Sequence, residues 1–190
     1  MARLTAFNHV TVDGFFAGPN GEIDWFKAIA KDDEYEAYTQ EGASFGNSLV
    51  FGRTTYEMMK SYWPTPDAEA NDPEMTRVMR NSPKIVFSKT LQNVVEESNW
   101  KNVTLLHEID SAAIRKLKEK PGADLTILGS GSIVQQLANL GLIDEYDLLT
   151  VPIVLGTGKP LFKGLKEKSL NLLEARPFKN GIAVLKYSPA

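Results

Sequence analysis

The stretch TILGSGSIVQQL, residues 126–137, leaves an apolar run, spends Gly129, Ser130, Gly131 and Ser132 on a break, and resumes an amphipathic pattern. Aliphatic and β-branched residues up to Gly129 predict a short buried strand over 125–129. From Ser132 the apolar side chains recur at helical spacing and stop at Gly141, a residue suited to closing a helix. A strand feeding a helix through so short a break is half of a βα unit. The same grammar occurs in SLVFG (48–52) followed by RTTYEMMKSYW (53–63), with Thr54 or Thr55 as N-cap and Pro64 as stop.

The rest of the chain extends this pattern. RLTAFNHVTV (3–12) predicts a strand that turns at Asp13-Gly14. A glycine-rich stretch, FFAGPNGEIDWF (15–26), carries Phe15, Phe16, Trp25 and Phe26 and reads as a mobile lid over an apolar space. Residues 32–46 predict a helix, and 64–82, crowded with prolines, an irregular insertion. KIVFS (84–88) and VTLLH (103–107) are further strands, and SAAIRKLKEK (111–120) is a helix stopped by Pro121-Gly122. DEYDLLTVPIVLG (144–156) predicts one long strand, and the tail a hairpin around Lys179-Asn180-Gly181. Strands alternating with helices and then a closing hairpin imply an α/β fold. Its sheet is mainly parallel with an antiparallel C-terminal edge, in one domain over residues 1–190.

Composition narrows the function. A formal net charge of -3 on 190 residues leaves no electrostatic pull toward nucleic acid, and the basic run at 115–120 reads as a solvated helix end. The absence of cysteine excludes disulfides and thiolate chemistry, and two histidines cannot build a typical zinc site, so no metal is expected. No signal-peptide core or membrane-length apolar run is present, and a cytoplasmic location is expected.

Chemistry gathers at three predicted strand ends: Gly52 leading to Arg53 and Thr54, Ser88 leading to Lys89, and Gly129 leading to Ser130, Gly131 and Ser132. Ligands of open α/β sheets bind beyond the carboxyl ends of the strands. Helix N-termini there present unpaired amides that accept phosphate, and Arg53 and Lys89 add positive charge. Glycine and serine at such junctions also serve as plain turn and cap residues, so each end alone is ambiguous. Cationic rather than acidic residues at these turns favour NADP over NAD. Asp24 reads two ways, as a buried carboxylate that assists proton delivery or as a helix cap. His9, a lone histidine in a strand, reads as a wall residue. Tyr56, Tyr62 and Trp63 read mostly as core, with Trp63 near a pocket rim.

In this order, VTVDGFFAGPNGEIDWF, SLVFGRTTYEMM, KIVFSKTL and TILGSGSIVQQLANLGLIDEYDLLTVPIVLGTGKPLF resemble the dihydrofolate reductase-like superfamily. More narrowly they are similar to the RibD C-terminal reductase of riboflavin biosynthesis and its stand-alone bacterial relatives, without the deaminase domain. The resemblance implies a three-layer α/β/α dihydrofolate reductase-like fold, a homodimer, and NADPH extended across the strand ends. Gly52, Arg53 and Thr54 match the segment for adenosine and its phosphates, and Ser88 and Lys89 the turn at the 2′-phosphate. Gly129, Ser130, Gly131, Ser132 and Ile133 match the turn under the pyrophosphate and nicotinamide ribose. The backbone of Asn8 and His9 matches the strand beside nicotinamide, and Asp13 to Gly18 the covering loop. The implied reaction is hydride transfer to a small heterocycle, 5-amino-6-(5-phosphoribosylamino)uracil. A folate or pterin reductase, or a non-catalytic module holding NADPH or a flavin, remain as alternatives.

Overall fold

Period-two alternation sets which side of the sheet each strand residue serves. The computed structural model describes residues 1–44, 46–119, 122 and 124–190. In chain order come β1 (Leu4–Thr11), β2 (Phe15–Ala17), a 3-10 turn (Asp24–Ala28), α1 (Asp33–Ser44), β3 (Ser48–Gly52), α2 (Arg53–Tyr62), α3 (Pro66–Asn71), α4 (Pro73–Asn81), β4 (Lys84–Phe87) and β5 (Val103–Leu106). There follow α5 (Ser111–Glu119), β6 (Leu125–Gly129), α6 (Gly131–Asn139), β7 (Glu145–Val151), β8 (Lys159–Pro160), β9 (Leu170–Pro177) and β10 (Ala183–Pro189). An eight-stranded sheet has the order β5-β4-β3-β6-β1-β7-β10-β9. Neighbours from β5 to β7 run parallel, and β10 is antiparallel to both β7 and β9.

Ala6, Val50 and Ile127 point to one face and pack with Ile114 of α5 and Ile133, Val134 and Leu137 of α6. On the other face Leu149, Val151 and Val184 pack with Trp25, Tyr35 and Phe178, and Leu49, Phe51 and Val86 pack with Tyr56, Met79 and Trp100. The expected three layers are therefore present, with α5 and α6 on one side and α1, α2 and α4 on the other.

Several sequence expectations change. Residues 64–82 are not irregular: Thr65 and Asp72 cap α3 and α4 with their side chains, and Pro66 and Pro73 take the first helical positions, where a missing amide costs nothing. The strand expected over 144–156 ends at Val151, because Pro152 has no amide to give to a ladder flanked on both sides. Helix α2 starts at Arg53 with Gly52 as its cap, so neither Thr54 nor Thr55 caps it. Lys118, within the run read as solvated, is buried and donates to the Leu142 carbonyl and the Asp144 carboxylate. The helix expected over 32–46 runs from Asp33 to Ser44 and does not include Gly46, while Phe45, Lys120 and Pro121 lie outside the described residues.

One irregularity positions everything that follows. The β1–β6 ladder runs only from Leu4↔Leu125 to Ala6↔Ile127, while β1 stays paired with β7 as far as Thr11 and β6 stays paired with β3 as far as Gly129. The sheet therefore splits at its centre, where the chain's connections diverge to opposite sides, the position at which open α/β sheets receive ligands.

Candidate active site

Two helix starts meet at the mouth of this split. A Cβ placed on Gly52 would lie 2.7 Å from Ser130 Oγ and 3.0 Å from Ile133 Cγ1, and one on Gly129 would lie 3.1 Å from Thr55 Oγ1. The junctions β3–α2 and β6–α6 thus touch, and glycine is what lets them. Gly129 also has φ +121°, a conformation that favours glycine, and the Gly129–Ser130 peptide is cis. Gly52 and Ser130 are both extended N-cap residues whose side chains accept no first-turn amide. Amide donors with partial positive charge therefore face the split from two helices, and Thr54 lies exposed on the first turn of α2. The Ser130 and Ser132 hydroxyls are 2.9 Å apart and bonded to one another.

The third strand end adjoins the same rim, since Gly52 is registered with Phe87, the residue before Ser88. Arg53 ties it in, donating to Thr90 Oγ1 at 2.8 Å and to Glu57 at 2.8 Å. Ser88 is buried, and its hydroxyl accepts from the Thr90 and Leu91 amides, so it shapes the turn from within. Lys89 is exposed and has no ion pair among the described residues. Of the two cations, Arg53 is shared with an acid and Lys89 is free.

The loop after β1 is bonded in place. β2 pairs with β8, and the Asp13 carboxylate accepts from Thr11 Oγ1 and from the Leu155 and Gly156 amides. Those bonds, the Thr11 hydroxyl foremost, hold its carboxyl below the ordinary range. Gly18 closes the turn by donating its backbone N–H to the Glu22 carbonyl, and a Cβ there would strike the Glu22 side chain at 2.6 Å. Phe16 lies against Gly131, where a Cβ would come within 2.3 Å of its ring. The loop thus brings an aromatic residue directly onto the start of α6.

On the α1 side of the split, Phe7 and His9 of β1 meet Phe26 and Tyr35. The His9 ring meets Phe26 edge-on at 4.8 Å, and His9 Nε2 is hydrogen-bonded to the Tyr35 hydroxyl. Burial pushes His9 down to about 4, so it is neutral at physiological pH, and it pushes the Tyr35 phenol up. Asn8, pointing to the opposite face with Ala6 and Val10, is 6% exposed and its Oδ1 has no partner. Asp24 fits neither of its readings. Its carboxylate is 73% exposed and paired with Lys27, and Ile23 is the cap residue of the 3-10 turn. A buried carboxylate on this face is Asp147 of β7, 7% exposed, with burial raising its pKa to about 6 against the pull of Lys186 at 3.8 Å. Trp63 packs inward, its indole N–H directed at Met59 Sδ. Sequence reading missed Tyr35 and Asp147. An aspartate at an inward position of an otherwise apolar strand was the one available signal, and for Tyr35 there was none.

A family model, the RibD C-terminal domain, matches residues 2–184 of this chain. The uncharacterized protein YyaP of Bacillus subtilis is 31% identical over 179 residues, covering 94% of this chain and 90% of YyaP. A solved protein of Shewanella sp. PV-4, proposed to act in riboflavin biosynthesis, superposes with a TM-score of 0.76 at 25% identity, covering 100% of this chain and 99% of that one. Dihydrofolate reductase of Enterococcus faecalis, solved with NADP(H), shares the fold at a TM-score of 0.65 and 15% identity, over 98% of this chain and 96% of that one.

Proposed function

The chain belongs to the RibD C-terminal domain family, and on that premise we propose that it is an NADPH-dependent reductase of a small heterocycle, 5-amino-6-(5-phosphoribosylamino)uracil being the first candidate substrate. The carrying observation is the meeting of two uncapped helix N-termini at Gly52 and Ser130 beside the split between β1 and β6. A dinucleotide pyrophosphate needs closely approached, positively polarised amides, and these glycines leave room for it. Asn8 Oδ1, buried without a partner, is an acceptor for the carboxamide N–H of nicotinamide. Lys89, with Arg53 beside it, would meet the 2′-phosphate. When bound, NADPH supplies the hydride; the protein's part is to orient substrate and to exclude water beneath the Phe16 loop. A folate or pterin reductase is disfavoured because Asp24 lies in solvent against Lys27 instead of in an apolar pocket.

Calorimetric titration tests the nucleotide assignment. NADPH is expected to bind at least tenfold more tightly than NADH. Lys89→Ala is expected to remove most of that difference, because a phosphate–lysine contact is a charge-assisted bond worth about 1–3 kcal/mol. Equal affinity for both nucleotides, unchanged in the variant, refutes the phosphate site. Substrate-dependent loss of reduced-nicotinamide absorbance separates a reductase from a module that only binds.

A further inference from the structure

The reductase reading leaves the reducible group of the substrate without a named partner, and a hydrogen-bonded polar pair, His9–Tyr35, stands on the α1 side of the split. We propose, resting on that reading, that His9 contacts the substrate through an Nδ1–H donor, held in that tautomer by Tyr35, and polarises the C=N or C=O group that receives hydride.

The argument starts from proton positions. Tyr35 is 9% exposed and its hydroxyl has no partner except His9 among the described residues. Were Nε2 to donate to the phenol oxygen, the phenol proton would be buried without an acceptor. With the phenol donating instead, both groups are satisfied. A neutral imidazole that accepts at Nε2 carries its proton on Nδ1. That nitrogen has no partner among the described residues, and His9, unlike Tyr35, keeps part of its surface open.

Position supplies the second strand of the argument. His9 follows Ala6, the last residue of β1 paired with β6, so it stands on the stretch of β1 that lines the split. Its ring is held edge-on by Phe26 at 4.8 Å and by Phe7 at 6.1 Å, and Phe26 is itself stacked on Trp25. Aromatic walls around one fixed donor suit a planar heterocycle bearing an acceptor. Burial keeps the imidazole neutral, so it is an N–H donor and not an imidazolium acid: as hydride reaches the C=N or C=O carbon, the π electron pair passes to the heteroatom that His9 Nδ1–H hydrogen-bonds, and that atom then takes its proton from water. Tyr35 touches no substrate; it is a positioning residue.

Nitrogen-15 spectra of histidine-labelled protein give a test independent of turnover. His9 is expected as the Nδ1–H tautomer, mixing with the other form in Tyr35→Phe. An Nε2–H tautomer overturns the proposal whatever the enzyme reduces. With NADP+ bound, the Nδ1 resonance is expected to move on addition of 5-aminouracil or dihydrofolate at millimolar concentration, and no movement with either overturns it. With NADPH and 5-amino-6-(5-phosphoribosylamino)uracil, Tyr35→Phe and His9→Phe are expected to lower kcat on the order of tenfold to a hundredfold. Their NADPH affinity should be unchanged, and His9→Gln should recover part of the rate through its amide donor. Full kcat in both phenylalanine variants overturns the proposal. Failure of the unaltered protein to bind NADPH refutes the cofactor reading, and the spectra still decide the role of His9.

Discussion

Asp147 and His9 respond to pH in opposite directions. Burial raises the Asp147 pKa from 3.8 to about 6. The folded state therefore holds a proton that the unfolded chain has released; this contribution is complete below pH 3.8 and is lost as pH rises through about 6. His9 falls from 6.5 to about 4, so the unfolded chain binds the extra proton, and stability from this group is complete above pH 6.5 and lost as pH falls through about 4. Each effect is on the order of 1–3 kcal/mol, less for His9, which is only half-buried. In the intact protein the two largely cancel across the interval they share. Asp147→Asn is expected to leave a protein whose stability climbs from pH 4.5 to pH 7, and His9→Phe one whose stability declines over the same interval. Urea unfolding at the two pH values measures both, and parallel pH profiles for the two variants would contradict the assignment. Neither residue announces this in the sequence. Asp147 acquires its character from burial first, then from Lys186, which lowers its pKa, and from Glu145 and Glu174, which raise it; Lys186 and Glu174 reach it only through the folded sheet.

At the scale of elements, legibility followed how local the signal was. The junctions at Gly52 and Gly129 were readable because a strand, a glycine and a helix start are contiguous in the chain. Helices α3 and α4 are legible from proline position and hidden by proline density: Thr65-Pro66 and Asp72-Pro73 are each a cap followed by a first-turn proline. The overlong β7 came from following apolar character past Pro152. The His9–Tyr35 pair was illegible because 26 positions separate its members and nothing in the spacing signals the contact. Lys84 is a similar case with consequences for stability. It stands at the foot of β4, 0% exposed, donating to the carbonyls of Arg80, Ser82 and Lys101, with its ammonium 4.4 Å from the centre of the Trp100 ring. It thereby closes the C-terminal end of α4 and clamps that helix to the strand and to the segment before β5. Lys84→Met keeps the volume and strands three carbonyls, so it is expected to cost about 2–4 kcal/mol, read as a lower urea midpoint. A loss below about 0.5 kcal/mol would mean that water replaces the ammonium without penalty.

For the whole molecule, the sheet's two edges differ in what they offer a second copy. Strand β7 lies between β1 and β10, has no free edge, and so cannot join two copies edge to edge. The edge strand near it is β9, which pairs only with β10 and exposes Leu170, Leu172 and Leu173 at 38%, 58% and 55%. The β9–β10 register shifts between Lys186 and Tyr187, opposite Glu174 and Leu172, so Leu173 falls outside the ladder as a bulge. Glu174, Arg176, Pro177 and the bulge blunt one half of this edge, and the exposed leucines leave the other half as a template for pairing unless something covers it. A homodimer joined along β9 would cover it, extend the sheet across a two-fold axis and leave the split between β1 and β6 open in both copies. Sedimentation of the native protein at micromolar concentration is expected to show a dimer, and Leu172→Lys with Leu173→Asp is expected to yield a folded monomer. Because the β1–β6 split lies three ladders away from β9, that monomer should bind NADPH as the dimer does. A monomeric native protein, or a variant that stays dimeric, would show that β9 does not carry the association.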